Sequence, residues 1–191
     1  MSAKRVMRNL TRFIEEKLGL RVNMTKSKVD RPQGLKYLGF GFYFDTRAHQ
    51  YKAKPHAKSV EKFKAGMKRL TSRSWGVSNG YKVQKLGELI RGWINYFKIG
   101  SMKKLCQKLD GRIRYRLRMC IWKQWKTPRN RARNLIKLGV PGWAARRTAY
   151  AKGYARVCRG SDVCQAISNK RLASFGLISM LDYYTERCVT C

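Results

Sequence analysis

Forty-four lysines and arginines against ten aspartates and glutamates leave a formal charge of +34 on 191 residues. A compact fold of this size repels itself at such a charge unless a polyanion lies beside it, and nucleic acid is the commonest intracellular polyanion. RNA or DNA is therefore the expected partner. The remaining composition argues that the chain folds: 43% of residues are hydrophobic and 12% aromatic, whereas disordered basic tails lack the Leu, Ile, Phe and Trp that offset chain entropy. The length suits one domain or two small ones. No run of 18 apolar residues exists, and the basic start carries Glu15 and Glu16 where a transit peptide avoids acids, so a cytoplasmic setting without a membrane partner is expected.

Hydrophobic spacing divides the chain. Val6, Leu10, Phe13, Ile14 and Leu18 recur at helical intervals with cations on the other faces, which predicts an amphipathic helix over 3–18 closed by Gly19. Between residues 20 and 53 the pattern turns sheet-like: Leu20, Val22 and Met24 alternate, an aromatic run spans Tyr37 to Phe44, and Pro32, Gly34 and the Asp45–His49 segment punctuate it. Two or three strands are expected there. From Pro55 onward the pattern is helical, over 56–71, 79–98, 101–125, 129–138 and 142–151, with one or two short helices between 165 and 184. The longest places Leu105, Leu109, Ile113, Leu117, Cys120 and Ile121 along one stripe and cations around the rest. The expected class is mainly α, a basic helical bundle preceded by a short α+β segment with a β-hairpin.

The densest basic stretch, 103–133, holds twelve Lys/Arg and one acid, Asp110. Solvated helix faces usually interleave both signs, and arginine forks match phosphate oxygens in pairs, so this stretch is the candidate RNA-binding surface. Its residues are Lys103, Lys104, Lys108, Arg112, Arg114, Arg116, Arg118, Lys123, Lys126, Arg129, Arg131 and Arg133, with Tyr115 between two arginines as the candidate for base stacking. Trp93, Tyr96 and Phe97, at i, i+3 and i+4, are expected in the core. Two-metal phosphoryl transfer needs carboxylates that converge, and here the acids are scattered. No catalytic residues and no metal site are expected. The six cysteines read as buried thiols: Cys188 and Cys191 have zinc-like spacing, but His49 and His56 lie far upstream and Cys158 and Cys164 have five residues between them.

The stretches Leu20-Arg21-Val22-Asn23-Met24-Thr25-Lys26-Ser27-Lys28 and Gly34-Leu35-Lys36-Tyr37-Leu38-Gly39-Phe40 resemble the last two sequence blocks of group II intron reverse transcriptases. Leu89 to Phe97, Arg112 to Trp125, Arg133 to Gly139 and, later, Leu181-Asp182-Tyr183-Tyr184 look like that family's maturase-specific thumb, in the family's order. The resemblance implies a palm remnant over 1–54 and a helical thumb with maturase function over 55–191. Tyr37, Leu38, Gly39 and Phe40 would match the hairpin that grips the primer end, and Lys26 a lysine close to the incoming nucleotide. For Gly39 and Gly41 the residues alone suggest a strand bend or a close backbone approach. By this resemblance the family's Tyr-Ala-Asp-Asp block, its earlier metal-binding Asp and its fingers would lie upstream of Met1, and its optional nuclease domain is not expected within these 191 residues.

The expected function is binding and stabilising structured group II intron RNA for splicing, with an RNA/DNA duplex as a further partner and no cofactor in this chain. Mg²⁺ would enter only with a catalytic half. The alternatives are the C-terminal half of a split or truncated reverse transcriptase, inactive alone, then a ribosomal-type RNA-binding protein, and a non-functional remnant.

Overall fold

A computed structural model describes residues 3–27 and 29–188; Lys28 and Cys191 lie outside them. The first helix, α1 (Ala3–Leu18), buries none of its residues, and Gly19 ends it in the left-handed region at φ +63°, where a residue without Cβ is unstrained. The alternation of Leu20, Val22 and Met24 does not produce a strand. Instead the Asn23 carboxamide oxygen accepts from the backbone N–H groups of Thr25 and Lys26, both at 3.1 Å, and a side chain that satisfies the local backbone removes the incentive to pair.

After a short 3₁₀ turn at Pro32–Gly34, Tyr37 and Phe40 exchange two backbone hydrogen bonds around Leu38 and Gly39, both at positive φ. This tight reversal leads into β1 (Phe40–Asp45), which pairs antiparallel with β2 (Gln50–Pro55), from Phe40 opposite Pro55 to Asp45 opposite Gln50. Asp45 closes the connecting turn by accepting from Arg47 and Ala48 and pairing with Lys52 at 2.7 Å.

The rest is helical: α2 (Ala57–Leu70), α3 (Asn79–Phe97), α4 (Lys103–Gln124), α5 (Pro128–Lys137), α6 (Gly142–Tyr150), α7 (Tyr154–Val157), α8 (Ser161–Ala166), α9 (Asn169–Ser174) and α10 (Met180–Arg187). Local chemistry sets the starts. Ser78, Thr127, Ser168 and Ser179 cap α3, α5, α9 and α10 through their hydroxyl oxygens, and Pro128 occupies the first position of α5. Between 165 and 184 lie α9 and α10, in keeping with the one or two short helices expected there, while α7 and α8 precede them without having been expected; Gly153 and Gly176 at positive φ break the path.

One core runs through the bundle, built on Phe63 and Met67 of α2, Leu86, Ile90 and Ile94 of α3, Leu109, Ile113 and Leu117 of α4, and Leu135, Val163, Leu172 and Met180 beyond. Leu105 and Ile121 are only half-buried, whereas Cys106 and Trp122 are fully enclosed. Trp122 is covered because α5 folds back over the end of α4, bringing the Arg131 guanidinium to 5.1 Å from its ring.

The hairpin is docked on the bundle. Tyr96 donates its hydroxyl to the Leu38 carbonyl at 2.8 Å, and Ser59 donates to the Gly39 carbonyl at 2.8 Å. Phe40 packs edge-on against Phe97 and stacks on Tyr96. Trp93 lies among Phe63 and Phe97 at ring separations of 4.9 and 5.0 Å, in the packing role expected of it, whereas Tyr96, expected in the core with them, is 54% exposed because it faces the hairpin at the bundle's edge. A β-carbon on Gly39 would stand 3.1 Å from Ser59 Oγ, so this glycine serves both a positive φ and a close approach.

Cys106, Cys120 and Cys158 are buried thiols, while Cys164 and Cys188 are partly exposed. Burial pushes Cys106 and Cys158 up from the ordinary 9.0 to about 12. In the unfolded chain these thiols lose their protons near the ordinary value, so across the interval from 9 to 12 the unfolded state binds fewer protons and stability falls as pH rises. The urea midpoint should therefore be lower at pH 10.5 than at pH 8. Replacing both cysteines by alanine should weaken that dependence, and an unchanged pH profile would contradict this account.

Candidate nucleic-acid interface

Helical spacing places Lys104, Lys108, Arg112, Arg116 and Lys123 on one side of α4, flanking the buried row of Cys106, Leu109, Ile113 and Leu117. Two adjoining hollows lie along that side and share Arg116. One, of about 540 Å³, is bounded by Lys68, Arg73, Lys123 and Tyr154; the other, of about 520 Å³, by Arg112, Tyr115 and Arg159. No acid is among the described residues lining either hollow. The arrangement is a furrow of one charge sign, whose guanidinium forks suit paired phosphate oxygens.

Aromatic rings hold several of these cations in place. Arg73 and Arg131 both lie over Tyr154, at 5.0 and 5.2 Å, and Arg159 lies 4.6 Å from the Tyr115 ring. Planar guanidinium on aromatic contacts fix long side chains that would otherwise lose entropy on binding. Arg116 is anchored too, donating to the Thr71 hydroxyl and to the Lys68 and Thr71 carbonyls. Partial burial lowers its pKa from the ordinary value.

The expected surface is thus sorted by the fold. Lys104, Lys108, Arg112 and Lys123 are exposed along the furrow side, and Lys126, Arg129 and Arg133 are exposed where α4 gives way to α5. Lys103 faces elsewhere, beside Lys52, Ile99 and Tyr184 near the hairpin. Arg114 is half-buried and lies 3.9 Å from Asp110. Arg131 is half-buried between Trp122 and Tyr154 and donates to the Tyr154 hydroxyl at 2.8 Å. Arg118 borders the second hollow but is only 9% exposed, and it donates to the Ile167 carbonyl at 2.9 Å and to Asn169 Oδ1 at 3.0 Å, tying α4 to α9. Tyr115 carries Arg159 on its ring, so that face is occupied rather than open to a base.

Lys68, Arg73, Tyr154 and Arg159 come from segments outside 103–133, and only the packing of α2 and α7 against α4 brings them there. In the N-terminal part, Tyr37 and Leu38 are exposed at the tip of the tight reversal and Phe40 is buried beneath it. Lys26 is exposed in the Asn23 turn.

The acids are dispersed and mostly engaged within the fold. Asp45 holds Lys52, Glu88 holds Lys85 at 2.8 Å, and Asp162 accepts from the Thr148 hydroxyl. Asp110, 4% exposed, accepts from the backbone N–H groups of Met180 and Leu181 at 2.8 and 3.0 Å and from the Ser179 hydroxyl at 3.2 Å. Among the described residues no three His, Cys, Asp or Glu side chains gather where a metal could be held, and no helix is long and apolar enough to cross a membrane.

Residues 60–139 match the family model described as the group II intron, maturase-specific domain. The match runs from α2 through α5 and includes all of α4. No curated protein matches the chain.

Proposed function

We propose that the protein binds structured group II intron RNA and stabilises the fold in which the intron splices. The observation that carries this reading is the one-signed furrow along α4, inside the segment that matches the maturase-specific domain. Folded RNA brings phosphates close together, and fixed cations on a helical scaffold offset their repulsion without performing chemistry. The first 54 residues are read as a palm remnant whose hairpin, seated on α3, marks one edge of the bundle. The chemistry of splicing then belongs to the RNA.

The test is a group II intron precursor held at a Mg²⁺ concentration too low for unaided splicing. Added protein should raise the spliced fraction severalfold, and no change at saturating protein would contradict the proposal. The same preparation should not extend a primer on an RNA template, because two-metal transfer needs converging carboxylates and Asp45, Glu88, Asp110 and Asp162 sit far apart in sequence with partners of their own.

A second reading, that this chain works with a separate catalytic chain, is favoured by α1. Val6, Leu10 and Phe13 lie on one side of that helix and are 43–55% exposed, the condition of an amphipathic helix whose partner is elsewhere. Primer extension that arises only on adding an aspartate-bearing N-terminal half would establish it.

A further inference from the structure

A third hollow, of about 440 Å³, opens between the start of α3, the end of α4, α5 and the α8–α9 segment. Its α4 residues, Leu117, Ile121 and Gln124, are turned well away from Arg112 and Lys123, so it is distinct from the furrow. Buried Leu117 and Leu172 help to line it, while Trp125 and the 63%-exposed Phe175 add flat aromatic surface. The polar members are of two kinds. Asn79, Gln124 and Asn134 bring carboxamides, and Lys137 and Arg171 bring positive charge, with no acid among the described lining residues.

We infer that this hollow takes a single unpaired RNA nucleotide, its base in the apolar interior and its phosphate toward Lys137 and Arg171. The inference rests on the RNA-binding reading above. Asn79 supplies the sharpest indication. Its amide nitrogen donates to Gln124 Oε1 at 2.6 Å, while its own oxygen is buried without any donor. A buried acceptor left unmatched is costly, so a ligand that brings an N–H group gains there. A base edge with an exocyclic amine does so, and carboxamides are the side chains that pair with such an edge. An apolar partner helix has its backbone donors already satisfied and brings neither that donor nor an anion for the two cations. A volume of this size accommodates a small planar ligand and excludes a duplex.

The test uses three RNA hairpins of otherwise identical sequence: one with a single bulged adenosine, one with an abasic residue at the bulge, and one fully paired. Fluorescence anisotropy at fixed salt should show the bulged adenosine binding on the order of tenfold more tightly than the other two. Phe175→Ala and Asn79→Ala, each checked for a native circular dichroism spectrum, should bring that ratio close to one with unchanged affinity for the paired hairpin. Equal affinity of the unaltered protein for all three hairpins overturns the inference and leaves RNA binding intact. A preference that survives both substitutions places the base elsewhere and also overturns it. Failure to bind any hairpin overturns both this inference and the RNA-binding reading.

Discussion

Asp110→Ala should lower stability by about 3–5 kcal/mol, the range for leaving a buried charged hydrogen-bond network without one partner. The carboxylate is the acceptor for two backbone N–H groups at the start of α10 and for the Ser179 hydroxyl, and the Met180 N–H it serves is itself buried. Without it α10 loses its polar attachment to α4. The Tyr184 hydroxyl, which donates to the Gly100 carbonyl at 3.0 Å, is then displaced from its site. Urea denaturation gives the magnitude, and hydrogen exchange should show amides of α10 losing protection first. A loss below about 1 kcal/mol, the worth of an ordinary hydrogen bond, would mean that α10 is held by its apolar contacts instead.

Replacing Lys104, Lys108, Arg112 and Lys123 together by glutamine should leave the fold intact, since all four are exposed, and should weaken RNA binding while flattening its salt dependence. Each phosphate contact contributes roughly 0.7–0.9 to the slope of log K against log salt, so four lost contacts reduce it by about three units. Arg118→Gln should behave in the opposite way. Its guanidinium bonds within the core, so the substitution should lower the melting temperature and leave the salt slope of the folded fraction unchanged. Identical slopes for the quadruple variant and the unaltered protein would show that α4 does not carry the contacts.

Elements with a strong local signal were legible in the sequence. Helical periodicity located α1 to α6 within a few residues, and Gly19 marked the end of α1 because a left-handed residue is a local requirement. The hairpin was legible from its aromatic run and the turn at Asp45. The alternation at Leu20–Met24 misled because a strand needs a partner strand, and the Asn23 side chain closes a turn in its place. Charge identified α4 as the basic helix, but not which cations stay in solvent. Arg118 and Arg112 differ only in what packs beside them, and the α8–α9 segment that encloses Arg118 lies about 50 residues on in the chain. For the same reason Arg73, Tyr154 and Arg159 carried no signal of belonging to the site, and Asp110 looked like a stray acid in a basic run rather than the cap of a distant helix.

Ultraviolet crosslinking of the protein to a folded group II intron RNA, with the crosslinked peptides identified by mass spectrometry, tests most directly whether the α4 furrow is where RNA is held. The account predicts crosslinks concentrated on peptides spanning 103–133 together with those carrying Arg73 and Arg159, and their loss in the quadruple glutamine variant. Crosslinks confined to α1 or the hairpin, with none on α4 in a complex that binds tightly, would contradict it.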